Sequence, residues 1–223
     1  MKLNIAIDGP SASGKSTIAK LLAKRLNYTH LDTGAMYRAC TYKALKYNIN
    51  TNSEDDLVKM VNSSHFAFDE LGHIHIDDKD VSSKIRSKDI DLLTSKIAQY
   101  PKLRQSLVHI QQTIAKDKGY ILDGRDIGSV VLPDADIKIF QTASIESRAK
   151  RRLNEYNLKG LNIDYQTIYN EIEQRDYQDQ NRLHSPLIKM DDAYLLDTSN
   201  LSIDESVEIV YSLVIQKLNE RSD

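Results

Sequence analysis

The sequence of 223 residues contains one cysteine, Cys40, and no long apolar run. A lone cysteine excludes an internal disulfide and suits a reducing compartment. No stretch approaches the roughly 20 apolar residues that cross a bilayer. Lys2 and the short apolar run before Asp8 do not make a signal peptide. An excess of charge is also missing. With 30 Lys and Arg against 32 Asp and Glu, the formal net charge is −2, so any basic site must be local and the whole-protein field does not attract nucleic acid. Internal repeats and low-complexity segments are absent too. The expected compartment is the cytoplasm, and the chain, long for one domain and short for two, fits one main domain with a small insertion. A chain of this size buries well over half its unfolded surface. No nucleic-acid or membrane partner is expected, and the expected state is a monomer.

Against these absences stands the stretch Ile5–Thr17, I-A-I-D-G-P-S-A-S-G-K-S-T. Gly9, the four residues Pro10, Ser11, Ala12 and Ser13, then Gly14, Lys15 and Ser16 match G-x-x-x-x-G-K-[ST] without a departure. Leu3, Ile5, Ala6 and Ile7 read as a buried strand, and Ile18, Leu21, Leu22 and Leu26 as a helical stripe after the glycines. A strand that feeds a helix through such a loop leaves backbone N–H groups unpaired and pointing inward. With the positive end of the helix dipole they cradle phosphate oxygens. Lys15 can reach the β- and γ-phosphates, and the Ser16 hydroxyl can ligate Mg²⁺. A chance match in a chain this long is on the order of one per cent at average residue frequencies.

Tyr28–Leu31 is a brief strand candidate, and Asp32 or Thr33 can cap a helix running to about Tyr47. Cys40 lies in the apolar stripe of that helix and reads as a small buried hydrophobe rather than a nucleophile. A short helix is expected from Ser53 to Asn62. From His65 the period changes to two: Phe66 and Phe68, a turn at Glu70-Leu71-Gly72, then Ile74 and Ile76, with Asp80-Val81 as a continuation. His73 and His75 share a strand face with metal-ligand spacing, but no cysteine or carboxylate cluster completes a site, so solvent-facing histidines are expected. Lys88–Lys116 reads as helix, broken or kinked at Pro101. Strands at Tyr120–Asp123, Asp136–Gln141 and Tyr194–Asp197 alternate with helices at Ser144–Leu158, Asp164–Arg182 and Ile203–Leu218. The alternation argues a mostly parallel sheet covered on both faces.

Asp123 ends a buried strand, where a carboxylate can hold Mg²⁺ directly or through water; an ordinary strand-end turn residue is the alternative. Arg148, Arg151 and Arg152 share one helical face, as do Arg175, Asp179 and Arg182. Alone, each cluster is better explained by a salt-bridged surface, whose pairs are worth under about 1 kcal/mol. Together with Arg38, Arg104 and Arg125 they supply cations on several elements that a βαβ fold brings to the carboxyl ends of its strands. Phosphoryl transfer needs such charge, and the absence of a conspicuous general base favours an acceptor that is already an anion. A GTP switch is disfavoured: N-K-x-D is absent, and Asp69-Glu-Leu-Gly72 lies in the hairpin turn.

Five segments make the chain recognisable: Ile7–Thr17, Leu31–Arg38 (L-D-T-G-A-M-Y-R), Ser95–Arg104, Leu122–Ala135 (with D-G-R-D) and Arg175–Arg182 (R-D-Y-Q-D-Q-N-R). Over essentially its whole length it resembles the bacterial cytidylate kinases, nucleoside monophosphate kinases. The resemblance implies an α/β P-loop NTPase fold in one domain over 1–223, with an antiparallel insert at about 62–85 and a mobile helical lid at about 148–165. It implies transfer of the γ-phosphoryl group of ATP, with Mg²⁺, to CMP or dCMP. Gly9–Thr17 would hold the ATP phosphates. Lys15, Arg125, Arg148 and Arg152 would form the catalytic set. Thr33, Arg38, Arg125 and Arg182 would sit near the acceptor phosphate and ribose, with Asp32 and Asp123 completing the substrate site. Ser95, Arg104 and Asp126 would read the cytosine edge, and Arg175 and Asp179 would hold the sugar hydroxyls. Gln178 and Gln180 stand where that family often has further arginines.

Overall fold

The computed structural model describes residues 2–158 and 160–221. β1 (Ile5–Asp8) is buried along its whole length and runs through the glycine loop into α1 (Lys15–Leu26). β2 (Thr29–Asp32) leads into α2 (Thr33–Lys46), and the Asp32 carboxylate caps that helix by accepting the Ala35 N–H at 2.8 Å. α3 (Glu54–Asn62) starts at the Ser53 hydroxyl cap. The insert follows as β3 (Phe66–Phe68), β4 (Ile74–Ile76) and β5 (Lys79–Asp80), an antiparallel sheet in which Phe66 pairs with Ile76 and Phe68 with Ile74.

Pro101 produces two separate helices rather than a kink in one. α4 (Lys88–Ile97) stops before it, and α5 (Pro101–Ile114) takes the proline at its first turn, where a missing N–H costs nothing. A 3₁₀ turn then leads to β6 (Tyr120–Gly124). The D-I-G-S-V-V segment, left without an element by sequence patterning, forms a π-helical turn over Ile127–Val131. β7 (Ile137–Thr142), α6 (Ile145–Leu158), α7 (Tyr165–Asn181), β8 (Tyr194–Asp197) and α8 (Ile203–Asn219) complete the chain.

The main sheet has the order β2-β6-β1-β7-β8, and all four pairings are parallel. The pleat sends successive residues to opposite faces. Ile5, Ile7, Ile121 and Ile139 meet Ile18 and Leu22 of α1 and Val210 and Val214 of α8. Ala6, Leu31 and Leu122 meet Met36, Cys40, Leu57, Leu103 and Leu107 on the other side. Cys40 is fully buried, as its place in the stripe requires. The insert has too little apolar surface for a core of its own. Phe66, Ile74, Ile76, Val81 and Ile85 join the α2–α5 core instead. Between the two polar helices α6 and α7 lies a third, small cluster of Ala149, Ile168 and Ile172.

Parallel register places the carboxyl ends of β1, β2 and β6 side by side: Asp32 pairs with Asp123, and Asp8 with Gly124. Ligands bind at such edges in open α/β sheets. The loop leaves β1 so close to β7 that a Cβ on Gly9, whose φ is +154°, would stand 1.9 Å from the Gln141 carbonyl oxygen. Gly9→Ala must therefore push the loop off β7. The expected loss of stability is about 1–3 kcal/mol, read by urea unfolding, and ATP binding is expected to be lost with it. Unchanged stability and ATP affinity would contradict this packing.

Candidate active site

The loop between β1 and α1 is held from outside. Gly14 enters α1 in the left-handed region (φ 91°), and no side chain caps the first turn. The Ser13 carbonyl accepts hydrogen bonds from Gln141 Nε2 (2.5 Å), Arg151 Nη1 (3.2 Å) and Thr198 Oγ1 (3.4 Å). Ser11 N–H donates to Asp176 Oδ1 at 3.2 Å. With the loop carbonyls and sides occupied in this way, N–H groups of the first turn of α1 remain to face a ligand. Lys15 is buried, and its Nζ donates to the Pro10 carbonyl at 2.8 Å, folded back over the loop. Burial pushes its pKa down to about 7, the Arg125 charge adding to the effect and Asp123, Asp8 and Asp179 opposing it.

Asp123, at the end of β6, links three elements. Its Oδ2 accepts from Ser16 Oγ at 2.7 Å, its Oδ1 lies 2.6 Å from His30 Nε2, and its backbone carbonyl accepts from Thr33 Oγ1 at 2.8 Å. Burial opposes ionisation of Asp123, but His30, Lys15 and Ser16 outweigh it and hold the carboxyl below its usual range. The Ser16 hydroxyl and Asp123 carboxylate are adjacent hard oxygen donors, the type that suits Mg²⁺ when phosphates and water supply the remaining ligands. Asp8 accepts the N–H groups of Ile127 (2.8 Å) and Gly128 (2.7 Å), which fastens the π-helical turn to β1. Burial nevertheless raises its pKa to about 6, the two hydrogen bonds offsetting only part of the cost.

The arginines gather at the same edge, several of them beside a carboxylate. Arg125 Nε donates to Asp179 Oδ2 at 2.6 Å, and Arg182 Nη1 lies 3.8 Å from the other oxygen of Asp179. Arg104 pairs with Asp126, both buried, and stacks 5.4 Å from the Tyr37 ring. Asp32 Oδ2 receives Arg38 at 3.0 Å and Arg86 at 3.4 Å. Arg175 has its pKa pushed down to about 10 by burial and by the charge of Arg125, with Arg152 adding to it. Arg152 is half-buried and stacks on Tyr156 at 5.7 Å.

Two expected residues stand differently from the rest. Ser95 is exposed on α4, and its hydroxyl donates to the Asp91 carbonyl of its own helix at 3.1 Å; the structure gives it no hydrogen bond to Arg104 or Asp126. Arg148 is buried, with Nε on the Ala143 carbonyl (2.9 Å) and Nη1 shared between the Ser11 carbonyl (3.1 Å) and Asp176 Oδ2 (2.5 Å). These bonds make it a clamp on the loop. Gln178 and Gln180 are exposed, so arginines missing there leave the buried charge set intact. Among the described residues no group of three or more His, Cys, Asp or Glu is arranged to hold a metal; His73 and His75 instead share Asp69 Oδ2 at 3.0 and 3.5 Å.

Residues that patterning overlooked are His30, Asp8, Asp176, Gln141 and Thr198. The rule that flagged Asp123 at a strand end applies equally to Asp8. Asp176 lies within the R-D-Y-Q-D-Q-N-R segment, but its partner Arg148 is 28 residues away on another helix, so no local spacing marks the pair. His30 and Gln141 carried no signal, because their roles depend on which strands become neighbours.

A phosphate loop at the carboxyl edge of a 2-6-1-7-8 parallel sheet, ringed by arginines, defines a P-loop kinase. The family model described as cytidylate kinase matches residues 5–216. A cytidylate kinase of Enterococcus faecalis is 44% identical over 219 residues, covering 97% of each chain. One from Caldicellulosiruptor saccharolyticus is 45% identical over 215 residues, covering 95% of each. The chain belongs to the cytidylate kinase family. A crystal structure of an uncharacterized protein from Eubacterium ventriosum shares the fold alone, with a TM-score of 0.57, 13% identity and coverage of 97% of this chain and 99% of that one.

Removing one member of the buried Arg148–Asp176 pair strands the other. Asp176→Ala is expected to cost about 3–5 kcal/mol in urea unfolding, and the double change Arg148→Met/Asp176→Leu much less. Equal losses would contradict a clamp whose cost lies in the unpaired charge. For Asp8, a folded pKa of about 6 above the ordinary 3.8 means that the native state holds the proton longer. Its contribution to stability is present below about pH 4 and is lost as pH rises through about 6. Relative to Asp8→Asn, the wild type is expected to lose up to about 3 kcal/mol between those limits. A flat difference would contradict the desolvation of Asp8.

Proposed function

We propose that this protein transfers the γ-phosphoryl group of ATP to CMP or dCMP, giving CDP or dCDP and ADP. One observation carries the acceptor side. Of the buried side-chain polar atoms without a partner among the described residues, Arg38 Nε, Arg104 Nε, and Arg182 Nε and Nη2 all belong to arginines of this edge. A buried guanidinium donor left unpaired costs about 1–3 kcal/mol, and an anionic nucleotide relieves that cost. Around it, Thr33, Arg38, Arg125 and Arg182 take the acceptor phosphate, and Arg175 and Asp179 the sugar hydroxyls. Asp126 can accept from the exocyclic amine of cytosine while Arg104 serves the ring acceptors. Ser95, exposed on α4 one turn after Asp91, whose charge acts on Arg175, offers its hydroxyl to the base beside them.

The donor phosphates lie on the loop Gly9–Thr17. Ser16 and Asp123, oxygen donors already in contact, would hold Mg²⁺, which would supply positive charge against the phosphates. Lys15 leaves the Pro10 carbonyl for the γ-phosphate, where its charge, with those of Arg125 and Arg152, stabilises the transferring group. Arg148 keeps the loop in shape by holding the Ser11 carbonyl. An acceptor phosphate is already an anion, so no general base is required. The stretch at about 148–165 closes as a lid beyond the anchored Arg148, and closure excludes water, which would otherwise receive the phosphate. The exposed Leu158 (90%) and Leu161 (48%) are side chains that such closure can cover. We assign the whole chain to one kinase domain with an insert at about 62–85, working as a cytoplasmic monomer on small molecules; no helix among the described residues is long and apolar enough to cross a membrane.

Lys15→Ala is expected to keep the fold by circular dichroism and to lower turnover at least 10²-fold. Wild-type turnover would rule out Lys15 as a phosphate ligand. Arg104→Met is expected to raise KM for CMP at least tenfold while leaving KM for ATP within about twofold, a loss of about 1.4 kcal/mol or more on one substrate alone. Equal changes for both substrates would remove Arg104 from base recognition.

A further inference from the structure

Asp123 owes its orientation to two hydrogen bonds, one on each oxygen. Ser16 Oγ holds Oδ2 at 2.7 Å, and His30 Nε2 holds Oδ1 at 2.6 Å. His30 comes from β2, whose register pairs it with Ile121, two residues before Asp123 on the same face of β6. Both side chains are buried, 8% exposed for His30 and 5% for Asp123, so water cannot stand in for either partner. The turn of the insert hairpin packs beside the imidazole: a Cβ on Gly72 would make ordinary van der Waals contact with His30 Nδ1, at 3.5 Å. Gly72 sits there with a φ of +75°, in the left-handed region that glycine tolerates best.

We propose that His30 is a positioning residue that aims the Asp123 carboxylate at the metal bound beside Ser16. The proposal rests on the reading of Ser16 and Asp123 as the Mg²⁺ donors. A carboxylate held at one oxygen only can rotate about its last side-chain bond. Held at both, it keeps Oδ2 beside the Ser16 hydroxyl before any nucleotide arrives. Partners of this kind, one bond removed from the ion, typically change metal affinity about 10–100-fold when removed. His30 lies behind Asp123 and touches no loop N–H group, so its removal leaves the phosphate cradle itself unaltered. The consequence is specific: loss of His30 weakens the metal-dependent part of nucleotide binding and spares the metal-free part. A residue that merely stabilises the fold would move both together or neither.

The test is calorimetric titration of the full-length protein with ADP in EDTA, followed by titration of the ADP complex with Mg²⁺. In His30→Leu the Mg²⁺ affinity of the ADP complex is expected to fall about 10–100-fold, while ADP affinity in EDTA stays within about twofold. His30→Gln places an amide nitrogen near the position of Nε2 and is expected to restore most of the Mg²⁺ affinity. His30→Asn, too short to reach Oδ1, is expected to behave like His30→Leu and carries the test if the leucine variant fails to fold. Wild-type Mg²⁺ affinity in both the leucine and asparagine variants, or parallel loss of metal-free ADP binding, would overturn the proposal. A wild-type ADP complex indifferent to Mg²⁺ would overturn the underlying metal reading instead, and the two failures are told apart by the wild type alone.

Discussion

Guanidinium groups brought close together repel one another unless carboxylates lie between them, and the carboxyl edge of this sheet is built around that constraint. Asp179 stands between Arg125 and Arg182, Asp126 beside Arg104, Asp176 beside Arg148, and Asp32 between Arg38 and Arg86. The neutralisation is incomplete. Among the described residues, Arg38, Arg104 and Arg182 each keep a buried N–H without a partner, and Arg175 has its pKa lowered by burial and its neighbours. The fold thus maintains a positive edge at a cost met elsewhere in the core, and the proposed nucleotide, carrying phosphates, is a ligand suited to relieve it.

Neither the loop nor the arginines would meet without the parallel register. It sets Asp8, Asp32 and Asp123 on neighbouring strand ends, where their roles diverge. Asp8 fastens the turn after β6, Asp32 caps α2, and Asp123 links Ser16 to His30. Asp176 reaches from α7 to Ser11, and Gln141 from β7 to Ser13, so the phosphate loop is positioned by elements far along the chain. Preorganisation of this kind lets fixed charges act without rearranging during the reaction.

Much of this was legible in the residues. The glycine loop announced itself by spacing and by the switch from strand to helix, the start of α2 by its capping candidates Asp32 and Thr33, and α3 and β8 as short elements near their observed bounds. Local rules failed where tertiary contact decides. Pro101 marked an interruption, but whether it kinked one helix or separated two depended on how α4 and α5 pack. The π-helical turn at Ile127–Val131 has no period of its own and exists because Asp8 accepts its first N–H groups. His30 and Gln141 look like ordinary strand residues until their neighbours are known. Arg148 could be read from its helix face as one of several cations; only the buried contact with Asp176 and the Ser11 carbonyl separates it from Arg152.

The central proposal is that this edge transfers a phosphoryl group from ATP to a cytosine nucleoside monophosphate, releasing ADP. It is tested most directly by measuring ADP release from Mg-ATP with CMP, dCMP, UMP, dTMP and AMP offered one at a time. Release with CMP and dCMP, and little with the other three, is the predicted result. Strong release with another acceptor would contradict base reading by Arg104 and Asp126, and no release with any of the five from folded, ATP-binding protein would contradict the kinase account itself.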